Sequence, residues 1–221
     1  MHYLGLALYA EGPTDYHFLC PLLRRLCEDI CTRDASELVE VSDVLCLDHP
    51  VAVRDAGRET RVFAAAEAAK GAWRVLFVHA DGGGDPVRAH AQQTQPAIDL
   101  VRRGLGNSGH GVAVVPVRET EAWAIADGNA LRDVFGAILD DNTLQLPATA
   151  HQAESDIDPK ATLHAAFFST QPSGRRKRQG VAPLLDALGE RVSLARLRRL
   201  GAFREMEDEL THALQALSIV R

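Results

Sequence analysis

The chain has 221 residues, 46% of them hydrophobic, with a formal net charge of -6, enough apolar material for a sizeable core in one large domain or one with a small appendage. A pI near 5.8 excludes holding nucleic acid by bulk charge, which takes clustered Lys and Arg; a polyanion needs a local basic patch or a basic partner. No run approaches the roughly 18 apolar residues of a spanning helix, and no basic stretch leads a long apolar one at the N-terminus, so no membrane is expected and the cytoplasm is the default.

Leu4 to Tyr9 reads as a buried strand, followed by Glu11-Gly12-Pro13-Thr14-Asp15 and then Phe18, Leu19, Leu22, Leu23, Leu26, Cys27 and Ile30 at helical spacing. Thr14 is a candidate cap, and Pro21, which cannot donate to the carbonyl of His17, predicts a kink or a restart. Leu38 to Leu47 reads as a second strand, Arg58 to Lys70 as a helix, Arg74 to Val78 as a continuous apolar strand, Pro86 to Arg103 as a helix and Gly111 to Val117 as a fourth strand. Glu119 to Ala126 starts a helix directly beyond it. Strands separated by helices imply parallel pairing. The expected fold is therefore α/β, a mostly parallel sheet flanked by helices.

Beyond about Asp140 the strand signal ends. Pro159 to Phe168, Val181 to Leu188, Leu194 to Leu200 and Phe203 to Leu217 read as helices, a C-terminal helical extension over 141–221 on an α/β domain over 1–140. Thr170 to Gly180, rich in Pro, Ser, Gly and basic residues, reads as an exposed loop. Cys20, Cys27, Cys31 and Cys46 show no C-x-x-C pairing, and three fall in one helical region, which favours core packing over zinc.

Three apolar strands end on carboxylates: Glu11 after the first, His79-Ala80-Asp81 with Asp85 after the third, Glu119 and Glu121 after the fourth. Ligands of open α/β sheets bind beyond the carboxyl ends of strands. Oxygen donors gathered there suit Mg²⁺ or Mn²⁺ rather than zinc, and a cation relieves the repulsion among them. Glu11 and Asp15 can equally cap the first helix. Gly82-Gly83-Gly84 permits close approach of a phosphate but also serves a tight turn, and it lacks a Walker ending. Glu119 and Glu121 point to one side if extended and diverge by about 200° in a helix. Asp127 reads foremost as a helix cap. Arg175-Arg176-Lys177-Arg178 and Lys160 are candidate phosphate contacts or solvated cations.

The combination of Glu11-Gly12, His79-Ala80-Asp81 and Glu119-x-Glu121-Ala-Trp123 with Ala126-Asp127 resembles the Toprim-type catalytic domain, in particular a family of small bacterial Toprim-like proteins found beside ATPases in defence-related gene clusters. Asp158-Pro159-Lys160 and the tail near Phe203 extend the likeness over most of the chain. Toprim domains occur in topoisomerases, primases and overcoming-lysogenization-defect nucleases. The resemblance implies a metal-dependent nuclease on DNA or RNA working with a partner ATPase in anti-phage defence. By position it makes Glu11 the acid/base group, Asp81 a metal ligand and Glu121 the favoured glutamate. His79 departs from the pattern, standing where the family's Asp-x-Asp pair begins, so the site prefers Mn²⁺, recruits Asp85, or is weakened; a histidine closing a buried strand is the alternative. That departure also supports a non-catalytic regulatory or sensor subunit. A Rossmann nucleotide enzyme lacks its Gly-x-Gly-x-x-Gly turn here.

Overall fold

The computed structural model describes residues 1–106 and 109–221. Four parallel strands, β1 (His2–Tyr9), β2 (Val39–Cys46), β3 (Val75–His79) and β4 (His110–Val114), form one sheet in the order β2-β1-β3-β4. The helices over the first half are α1 (Pro13–Asp34), α2 (Arg58–Ala68), α3 (Pro86–Ala89) and α4 (Gln95–Leu105). The second half folds into α5 (Glu121–Ile125), α6 (Gly128–Phe135), α7 (Ala150–Ser155), α8 (Pro159–Ser169), α9 (Gly174–Gln179), α10 (Leu185–Arg191), α11 (Leu194–Leu197) and α12 (Gly201–Ala216). The α/β class and parallel sheet follow the expectation.

Strand alternation divides the core. Leu4, Leu6, Leu8, Val75, Phe77, Val112 and Val114 pack on α1 and the C-terminal helices, while Ala7, Tyr9, Leu76, Val78 and Ala113 pack with residues of α2 and α4. With helices on both faces, β3 is buried along its whole length, which explains its unbroken apolar run. The chain leaves β1 toward β2 on one side and returns to β3 on the other, so the order reverses between β1 and β3. This is the switch point where such sheets form a crevice. The helices beyond residue 140 share a core with α1 and the sheet, and α12 covers the β4 edge, where Glu209 Oε2 accepts from the Ala113 N–H at 3.0 Å.

Several local expectations are corrected. Helix α1 passes through Pro21 as one element: Leu19, Leu22 and Leu23 are fully buried around it, and α10 lies so close that a Cβ on Gly189 would meet Pro21 Cγ at 2.6 Å, so packing outweighs the missing donor. The cap of α1 is Gly12, with Asp15 accepting its N–H at 2.8 Å, not Thr14. Between α3 and α4, residues His90–Thr94 widen into a π-turn just before Pro96, which removes an amide donor at that point. The ladder of β4 stops at Val114, three residues short of the apolar run, and the 170–180 segment contains the short helix α9. Among the described residues no helix is long and apolar enough to cross a membrane.

Candidate functional site

The two sides of the switch point are tied through Glu11 and His79. The Glu11 N–H points to His79 Nδ1 at 3.4 Å, and Glu11 Oε2 accepts from the Asp81 N–H at 3.0 Å. The first and third strand ends therefore meet through the carboxylate itself, so Glu11 does not cap α1. The turn after β1 is held further by Tyr16, whose hydroxyl accepts from the Ala10 N–H at 3.1 Å and donates to the Leu47 carbonyl at 2.6 Å. Burial pushes this phenol up to about 12, so it acts as a fixed donor bridging the ends of β1 and β2.

His79 follows Val75 and Phe77 on the α1 side of the sheet and is fully buried. Its Nε2 lies 3.1 Å from Thr120 Oγ1, and Thr120 Oγ1 donates to Asp15 Oδ1 at 3.3 Å. With Nδ1 accepting from Glu11, these directions assign the Nε2–H tautomer. Both ring nitrogens are thus engaged inside the protein, joining β3 to the first turn of α1 and the start of α5. Asp81 Oδ1 lies 3.5 Å from the same Nε2 without the alignment of a hydrogen bond.

The glycine triplet joins β3 to the chain after β4. Gly83 and Gly84 donate to the carbonyls of Arg118 and Val117 at 3.2 and 2.8 Å, with φ of 58° and 95°. A Cβ on Gly82 would lie 2.2 Å from the Pro116 oxygen, so only glycine allows this approach. The amides of Gly83 and Gly84 are used in holding two loops together rather than turned out as a phosphate cradle. Through this contact Asp81 is brought beside Glu119.

Here the local chemistry departs from ordinary satisfaction of polar groups. Asp81 Oδ1 and Glu119 Oε2 are both shielded from solvent with no hydrogen-bond partner. Burial, then the neighbouring Asp81 charge, raises the Glu119 carboxyl above its ordinary value, opposed by Lys160. Glu121, the first residue of α5, is also raised, mainly by burial, with its own amide and Lys160 working against the shift. Lys160, exposed in the first turn of α8, is thus brought to both glutamates from the C-terminal segment. Trp123 fixes the start of α5 by an edge-on contact with Phe203, ring centres 5.3 Å apart.

Other candidates lie elsewhere. Asp85 is exposed and caps α3, accepting from the Arg88 N–H at 3.0 Å. Asp127 caps α6 and also accepts from the Ser193 N–H at 2.9 Å. Within α9, Arg176 donates to the Phe135 carbonyl and lies over the Phe167 ring at 5.4 Å, whereas Arg175, Lys177 and Arg178 are exposed and make no ion pair among the described residues with the strand-end carboxylates. The cysteines are free, with Cys20 and Cys46 sulfurs 3.5 Å apart. Among the described residues no three His, Cys, Asp or Glu side chains form a ready metal cage. Comparison with protein-family models, with curated proteins and with solved structures finds no match.

Sequence reasoning undervalues three participants. Thr120 stands between two glutamates that draw the attention, yet it links His79 to Asp15. Glu119 was the lesser of the two glutamates, but it carries the unpartnered oxygen. Arg58, whose guanidinium donates to the His79 carbonyl and lies 5.9 Å from the Tyr9 ring centre, has no local signal because its partners are distant in sequence.

Proposed function

We propose that the chain is a divalent-metal-dependent phosphodiester hydrolase acting on nucleic acid, with Asp81 and Glu119 as the seat for Mg²⁺ or Mn²⁺ and Glu11 as the proton acceptor. The observation that carries this reading is the pair of buried, unpartnered oxygens, Asp81 Oδ1 and Glu119 Oε2. A carboxylate oxygen shielded from solvent without a donor is costly, and a hard cation supplies what the protein withholds. Mg²⁺ is commonly held by one or two carboxylates with water and substrate phosphates completing the shell, so two protein ligands without a third are sufficient. When bound, such an ion neutralises charge developing on the phosphoryl oxygens.

Within the chain, the Asp81 N–H fixes one oxygen of Glu11 and leaves the other to take a proton from water. His79, Thr120 and Asp15 hold the Glu11 backbone in place. Lys160, beside Glu119 and Glu121, draws an incoming phosphate toward the carboxylates. The partner ATPase and the defence setting enter this reading from the Toprim likeness alone. A second reading, a non-catalytic regulatory subunit, is favoured by the engagement of both His79 nitrogens, which takes that side chain out of the ligand set.

The test is cleavage of single- and double-stranded DNA and of RNA in Mn²⁺ or Mg²⁺, paired with calorimetric titration of Mn²⁺. We expect Glu11→Gln to slow cleavage by about 100-fold or more, the range of general acid–base contributions, with Mn²⁺ uptake retained. Asp81→Asn and Glu119→Gln lose uptake and cleavage together. A parent protein that takes up no Mn²⁺ even with nucleic acid present leaves the regulatory reading.

A further inference from the structure

Beside the acidic cluster lies a cavity of about 430 Å³, beyond the carboxyl ends of β1 and β2 and lined by Tyr9, Glu11, Asp48, His49, Arg58 and Arg61 among others. Arg58 and Arg61 are three residues apart at the start of α2, a spacing that sets them on one helical face. Arg58 is held by the His79 carbonyl and the Tyr9 ring. The Arg61 guanidinium makes no hydrogen bond or ion pair among the described residues. The Nε atoms of both are shielded from solvent and lack an acceptor, and neither guanidinium is within ion-pairing distance of a carboxylate among the described residues. Asp48, the other acid of the cavity besides Glu11, has a side chain 95% exposed and is solvated instead of neutralising them.

Arginine keeps its charge and presents a planar fork of donors, so two such groups in one concavity, each with an Nε–H that lacks an acceptor, are matched by an anion with several oxygens in a compact array. Phosphate has that form and takes guanidinium forks in bidentate fashion. We infer that Arg58 and Arg61 form a phosphate-binding subsite that seats a backbone phosphate of a nucleic-acid strand next to Glu11. The strand as source rests on the hydrolase reading; the anion seat comes from the arginines themselves. A phosphate held there leaves the neighbouring phosphodiester facing the carboxylates at the switch point. In an acidic chain, this local pair supplies the cationic contact that overall charge does not.

The experiment is fluorescence anisotropy with fluorescein-labelled single strands of DNA and RNA, in EDTA across a series of salt concentrations, using Arg61→Gln and Arg61→Lys. Arg61 holds no other group, so its variants are expected to melt as the parent does. Arg61→Gln should weaken binding about fivefold to tenfold and make the dependence of log K on log salt shallower by about one unit, the signature of one lost phosphate contact. Arg61→Lys should recover part of the affinity, keeping the charge and losing the fork. Unchanged affinity and slope in Arg61→Gln, or no binding of either strand by the parent, overturns the subsite. Competition by inorganic phosphate or ATP as effective as by unlabelled strand overturns the strand as its ligand. Since neither metal nor turnover is needed, absence of cleavage and of Mn²⁺ uptake sinks the hydrolase reading without touching this result, whereas an inert Arg61→Gln with intact cleavage sinks the subsite alone.

Discussion

Two acidic centres in this molecule are built in opposite ways. Asp127, 2% exposed, accepts from the N–H groups of Asn129, Ala130 and Ser193 at 3.1, 3.4 and 2.9 Å and faces Arg196 at 3.4 Å. Its charge is met by donors from α6, from the turn before α11 and from α11. Asp81 and Glu119, brought together by glycines and a loop, each keep a shielded oxygen without a hydrogen bond. The first centre joins helices; the second stays dissatisfied at the crevice of the sheet. A shielded carboxylate oxygen therefore takes its role from the donors that surround it.

Removing the Asp127 carboxylate separates the two centres most strongly. Asp127→Ala deletes a helix cap worth about 1 kcal/mol and strands the Ser193 amide at a cost of about 1–3 kcal/mol. For a domain of this size the expected fall in Tm is about 6–12 °C, read by calorimetry or circular dichroism, with Mn²⁺ uptake by the refolded protein unaltered. The corresponding change at the crevice, Asp81→Asn, should shift Tm by no more than about 2 °C and abolish metal uptake. If both variants destabilise alike, the distinction between a satisfied and an unsatisfied centre fails.

A smaller effect is expected from the contact that assembles the crevice. In Gly82→Ala the new methyl would meet the Pro116 and Val117 carbonyl oxygens at 2.2 and 2.5 Å, and because these are backbone atoms the loops must part. Overpacking of this kind costs about 1–3 kcal/mol, a fall in Tm of about 3–9 °C. Weakened Mn²⁺ uptake should accompany it, since Asp81 and Glu119 then separate; full uptake with a lowered Tm would mean the glycine serves the turn alone.

The fold was legible where one physical signal dominates. Val75 to Val78 is apolar without interruption because β3 is covered on both faces, and Leu19, Leu22, Leu23 and Leu26 repeat at helical spacing because α1 lies on the sheet. Prolines misled where packing prevails, at Pro21, and apolarity overran the ladder at Val115, which is buried in a loop rather than paired in β4. Helix α9 has no buried residue, hence no periodicity to read. In the site, Glu11 and Asp81 could be placed because they end strands. The roles of Thr120, Arg58 and the unpartnered oxygen of Glu119 depend on contacts between distant segments, for which sequence spacing carries no record.

The finest discrimination comes from the pH dependence of Glu119→Gln without metal. Burial and the Asp81 charge raise the Glu119 carboxyl in the folded protein, so the folded state holds its proton to higher pH than the unfolded chain does. Stability then declines as pH rises from the ordinary carboxylate range through the raised folded value, and the penalty is complete above it. Glutamine, which cannot ionise, removes the penalty. The variant should melt higher than the parent near pH 8, with the difference fading as pH falls below about 4, where Glu119 is neutral in both states. Glu209, also raised by burial, is present in both proteins and cancels in the difference, whereas Glu121, raised mainly by burial and in part by the Glu119 charge, is relieved in the same direction. Added Mn²⁺ should reverse the order by stabilising the parent alone, because a ligand bound only to the folded state adds stability in proportion to its occupancy. A variant less stable than the parent at pH 8 without metal would show that the Glu119 carboxylate already has its partner within the protein, as Asp127 does, and would end the case for a cation there.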